Sequence, residues 1–162
     1  MNTLSKSFLY FSLILFSLVL SCTKEVGPLT DNRPVTPVTV ANAIAYRPEP
    51  TVGVSRAGAG TILITLSIPA SSPRSINSIT KVSASTSFTQ IQSAGPTFYN
   101  SAPIPGNGKS VNFTTTLSEY TSKTGQGVSA INIELTRRFY FEILLDDNTT
   151  IITEPVRVLM LD

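Results

Sequence analysis

Where polar and apolar residues alternate regularly along this chain, they do so with a period of two. Residues 61–68 set Ile62, Ile64, Leu66 and Ile68 against Thr65 and Ser67, and residues 110–117 repeat the pattern with Val111, Phe113, Thr115 and Leu117. That is the spacing of strands with one buried face. Residues 79–85 read as another strand, and residues 88–92 as a further one after a bulge. The clearest signal lies in the last third, where residues 137–145 place Phe139, Phe141, Ile143 and Leu145 on one face. Asp146-Asp147-Asn148 then turns the chain, residues 149–153 return as a hairpin partner, Glu154-Pro155 interrupts, and residues 156–161 complete the strand. Residues 38–41 and 51–55 are candidate edge strands. A single helical turn is expected over residues 118–125, with Ser118 as N-cap and Gly125 as terminator. Residues 126–134 fit a strand through Ile131 and Ile133, or a loop through Gly127 and Asn132.

About seven short, β-branched and Thr-rich strands without a long helix predict an all-β fold, an antiparallel β-sandwich of Ig-like or fibronectin-like topology. A barrel is the alternative. The sandwich is expected to span residues 38–162.

The chain before it has a different character. Lys6 precedes an apolar run over residues 8–20, roughly 13 residues long, short of the ~20 that span a bilayer and within the ~7–15 of a signal-peptide core. Val19-Leu20-Ser21-Cys22 closes the run and resembles a bacterial lipobox. That resemblance implies a signal peptide over residues 1–21 and a diacylglyceryl group on Cys22, an anchor needing no spanning helix. An uncleaved anchor helix, or a secretory signal with an idle thiol, are the other readings, and both still export the domain. Residues 23–37 contain Pro28, Pro34 and Pro37 and read, with Cys22, as a stalk over residues 22–37. Extended at ~3.1 Å per residue, its 15 residues or so would reach about 40 Å.

Taken together, the leader, the stalk and the closing hairpin, residues 139–151 with Val156-Arg157-Val158, resemble small outer-membrane lipoproteins of the Bacteroidota with one Ig-like domain. The resemblance implies a cell-envelope protein held at the outer membrane by lipid, its leaflet open. It brings no catalytic residue with it.

Composition narrows the chemistry. The chain has no histidine, no tryptophan and one cysteine. With Cys22 acylated, disulfides, thiolate catalysis and the usual zinc and Ser-His-Asp arrangements are all excluded. Twelve basic against ten acidic side chains give +2, falling to +1 once Lys6 leaves with the signal, so no strong field attracts nucleic acid. Neither a cofactor nor a metal is expected. Asp146, Asp147 and Glu154 form an acidic cluster without the ligand spacing of a calcium loop, and are read as turn chemistry. Arg137 and Arg138 could grip a carboxylate or phosphate, or shield a strand edge.

Residues 95–108 form the longest irregular stretch and carry Phe98, Tyr99 and Asn100. Loops of this length either bind something or pack down on their own side chains. The expected function is a non-enzymatic, lipid-anchored structural or interaction module that meets an envelope partner. The alternative is a glycan-binding accessory lipoprotein that uses Phe98, Tyr99 or Tyr120 as stacking surfaces, with Asn100 as a polar neighbour.

Overall fold

The structure, a computed structural model, describes residues 36–94, 98–129, 131 and 133–161. The leader, Cys22 and most of the stalk lie outside them. Among the described residues the chain forms β1 (Thr39–Val40), β2 (Thr51–Ser55), β3 (Thr61–Ser67), β4 (Ile76–Ser85), α1 (Thr89–Gln92), β5 (Ile104–Pro105), β6 (Ser110–Thr116), α2 (Leu117–Thr124), β7 (Arg138–Leu145), β8 (Thr150–Ile152) and β9 (Arg157–Leu161).

Alternation in β3 and β6 drives them into one layer. Ile62, Ile64 and Leu66 are buried while their neighbours face outward, as are Val111, Phe113 and Thr115. The two strands pair antiparallel from Thr61↔Thr116 to Ser67↔Ser110, and β1 adds to the other edge of β3. The second layer runs β5-β4-β7-β8, also antiparallel. At Glu154-Pro155 the ladder breaks, since proline has no N–H to donate. Beyond it Val156 bridges Phe139, and β9 carries β2 alongside in parallel, Thr51↔Arg157 to Ser55↔Leu161. The result is an all-β sandwich, its layers closing over one apolar core.

Phe139 sits at the centre of that core. Its ring lies 5.4 Å from Tyr99, 5.4 Å from Phe113, 6.0 Å from Tyr120 and 6.4 Å from Phe141, mostly in tilted or edge-to-face geometry. Such pairs add to the free energy of burial because the positive ring edge meets a negative face.

Two sequence expectations change. Residues 88–92 form no strand. Phe88 and Ile91 stand three residues apart, so a strand would send them to opposite faces, whereas the α1 turn lays both on the outer surface of β4 and β7. There Phe88 meets Tyr140 edge-on at 4.7 Å, Ile91 is buried, and Ser83 Oγ donates to Gln90 Oε1 at 2.7 Å. The longer helix α2 is capped by Thr116, not Ser118: Thr116 Oγ1 accepts from the Glu119 N–H at 3.1 Å. Gly125 ends it in the left-handed region, φ 68°, as expected. The ambiguous stretch before β7 makes no strand among its described residues, though Leu135 and Met160 N–H groups bond to Val158 and Ile133 carbonyls beside β9.

Register fixes which loops share a pole. Thr39↔Ser67, Ser67↔Ser110 and Ile76↔Leu145 bring residues 36–38, 68–75, 106–109 and 146–149 to one end. Thr61↔Thr116 and Ser85↔Arg138 bring residues 56–60, 86–94 and α2 with residues 125–129 and 133–137 to the other. At the first pole Gly106 is required by space, because a Cβ there would strike the Ile76 carbonyl.

Phe139→Ala is expected to cost about 3–5 kcal/mol of stability, the range for emptying a buried aromatic site. Denaturant unfolding of the purified protein would measure it.

Candidate functional site

The loop singled out from sequence docks as though it were another edge strand. Tyr99 N–H donates to the Val82 carbonyl at 2.7 Å, and Asn100 Oδ1 accepts from the Val82 N–H at 2.7 Å. Asn100 Nδ2 donates back to Thr80 and Ala102 carbonyls at 3.2 and 2.9 Å. A side-chain amide thus supplies the donor and acceptor that a paired backbone would offer β4. Further on, β5 continues the pairing through Ile79↔Ile104.

Tyr99 turns into the core. Its phenol lies 2.8 Å from Thr115 Oγ1, which donates its one proton to Glu119 Oε2 at 2.8 Å, so the tyrosine must be the donor to Thr115. Glu119 Oε1 pairs with Lys123 Nζ at 2.8 Å, the favourable i, i+4 order on α2. Lys123 closes the circuit: its ammonium donates to the Tyr99 carbonyl at 2.6 Å and stands 4.5 Å from the ring centre. Burial pushes the Tyr99 phenol up to about 12, and burial also raises the Tyr120 and Tyr140 phenols. Hydrogen bonds from Lys123 and Thr115 hold the Glu119 carboxyl below the usual range, so it stays charged in mild acid.

Between this loop, α2 and the start of β7 lies a depression of about 590 Å³, with Phe98, Tyr99, Asn100, Ser101, Lys123 and Arg137 on its wall. That is a size typical of small-ligand sites. Phe98 is half-buried there, with Lys81 Nζ 5.3 Å from its ring centre.

Phe98, Tyr99 and Asn100 therefore come together, but Tyr120 does not join them. It is wholly buried, packed on Phe139, and its hydroxyl accepts the Arg137 N–H at 3.0 Å. It offers no stacking surface. The Tyr99 ring is likewise engaged, edge-to-face with Phe113 at 5.7 Å and with Phe139 at 5.4 Å. Of the three aromatics proposed for stacking, Phe98 alone keeps a partly open face.

The two arginines part company. Arg138 pairs with Glu49 at 2.8 Å. Arg137 makes one long contact, Nη1 to the Ala84 carbonyl at 3.4 Å, and among the described residues it has no carboxylate partner. Asp147 accepts from the Thr149 N–H at 3.0 Å and pairs with Arg74 at 3.0 Å, while Asn148 takes φ 64°. The acidic tip acts as a turn here.

Sequence reasoning missed Thr115, Glu119 and Lys123. The signal was present, because Thr116-Leu117-Ser118-Glu119 matches the S/T-x-x-E cap pattern and Glu119 stands four residues before Lys123.

No protein-family model matches the chain, and no curated protein is found similar to it.

Two expected outcomes test the circuit. Thr115→Val leaves a buried phenol without an acceptor and should cost about 1–3 kcal/mol, whereas the Tyr99→Phe, Thr115→Val pair should cost less than the sum of the single changes. A double-mutant cycle in urea would read this. Because the folded Tyr99 phenol is raised from 10.0 to about 12, its contribution is intact below pH 10 and is lost as pH rises through 12. Phenolate absorbance should lag behind that of the unfolded chain over this range, and the unfolding midpoint should fall.

Proposed function

We propose that the protein is a non-enzymatic, lipid-anchored module of the cell envelope that presents one pole of its sandwich to a partner. The observation that carries this reading is the polarity of the domain. Thr36, the first described residue, is buried beside the β3–β4 connection, at the pole that also holds the Asp146–Asn148 turn. At the opposite pole Ile131 and Ile133 are 86% and 75% exposed, near Leu161 at 45%. Large aliphatic side chains so placed stand at a high cost in water unless something covers them part of the time.

In this reading Cys22 carries the acyl chains, the proline-containing stalk holds the domain off the lipid, and the pole farther from the tether meets the neighbour. The outer membrane of a Bacteroidota-like envelope is the proposed address, on the strength of the resemblance carried by the leader, the stalk and the closing hairpin. The absence of histidine and of any thiol beyond Cys22 supports a binding role over a catalytic one.

Replacing Cys22 by serine is expected to move the protein from the membrane fraction to the soluble fraction. Mass spectrometry of the native protein should find a diacylglyceryl group on residue 22, and retention of the C22S protein in membranes would overturn the anchor. A photo-crosslinking side chain at Ile131 is expected to join the protein to an envelope neighbour, and one at Asp147 is not. Crosslinks from Asp147 alone would reverse the proposed orientation.

A further inference from the structure

We propose that the depression beside α2 is a binding site for a carboxylate-bearing sugar, a hexuronate residue of an acidic glycan, with Arg137 as the group that holds the carboxylate. The charges around the cavity select the ligand. Lys81 is neutralised by Glu142 at 3.0 Å and Lys123 by Glu119 at 2.8 Å. Arg137, on the cavity wall, is held by a single 3.4 Å contact to the Ala84 carbonyl. The site therefore carries one uncompensated positive charge. That charge sits on a planar fork of donors whose geometry matches a carboxylate through two parallel N–H···O bonds.

The neighbours narrow the class further. Glu119 and Glu142, paired with those lysines, add negative charge that disfavours a dianion, so a carboxylate is favoured over a phosphate. Phe98 gives the wall a partly open aromatic face, against which the apolar side of a sugar ring can lie. Ser101 is exposed on the same wall and can exchange hydrogen bonds with ring hydroxyls. Asn100, by contrast, spends both ends of its amide on β4 and on Ala102, so it shapes the wall without serving the ligand. The wall is also firm. The circuit of Tyr99, Thr115, Glu119 and Lys123 fixes the loop to α2, which lowers the ordering cost of binding.

This inference stands apart from the lipid anchor, since it concerns side chains of the sandwich alone. Calorimetric titration of the full chain in detergent with trigalacturonate is the test, with galactotriose, inorganic phosphate and a tripeptide bearing a free C-terminal carboxylate as parallel arms. Trigalacturonate is expected to bind at least tenfold more tightly than each of the others. Arg137→Gln should weaken it at least tenfold, and Arg137→Lys should also weaken it, by keeping the charge but losing the fork. Phe98→Ala should weaken it with the thermal midpoint little changed. Absence of trigalacturonate binding at millimolar concentration would overturn the proposal. So would equal binding of the neutral trisaccharide, undiminished binding by both Arg137 variants, or tighter binding of phosphate or peptide.

Discussion

Everything in this sandwich leans on the packing of rings around Phe139. A β-sandwich without a disulfide between its layers must hold them together by other means, and here the means is aromatic. Phe113 comes from one sheet, Phe139 and Phe141 from the other, Tyr120 from the helix between β6 and β7, and Tyr99 from the loop before β5. Five rings from four segments of the chain converge on one site. Each ring excludes water from the next, so the stability of the cluster belongs to the group more than to any pair.

The two tyrosines explain how polar detail follows from that packing. A buried phenol needs a partner, and each finds one that fastens a connection: Tyr99 on Thr115 and so on α2, Tyr120 on the backbone N–H of Arg137 at the start of β7. The long crossing between β6 and β7 is thereby pinned at both ends. Arg137 is positioned through its own backbone, which leaves its guanidinium at the cavity wall while the adjacent Arg138 turns to Glu49. Alternation of side chains along an extended chain is enough to give neighbouring arginines these different surroundings.

Much of the fold was legible in the sequence because its signal was periodic. The alternation of Ile62, Ile64 and Leu66, of Val111 and Phe113, and of Phe139, Phe141 and Ile143 places these side chains inward, and all are buried. Turn chemistry was equally plain at Asp147 and Asn148. Residues 88–92 misled because Phe88 and Ile91 answer to the outer face of the β4–β7 ladder, where Tyr140 needs a cover, and no local pattern announces such a face. The candidate site was half legible. An irregular loop with Phe98, Tyr99 and Asn100 drew notice, but whether an aromatic ring turns outward or inward depends on the core beneath it. Tyr99 and Tyr120 turned inward because Phe139 was there to receive them. That Arg137 would lack an acidic partner depends on long-range placement of Glu49 beside Arg138, which sequence spacing does not reveal.

The parallel pairing of β2 with β9 sets the order in which this domain can be assembled. Thr51 finds its lateral neighbour at Arg157, about 100 residues downstream, and between them lies every other strand but β1. A ribosome therefore releases β2 long before the strand it pairs with along its length, and the closing of so large a loop delays the completed ladder until the late strands arrive.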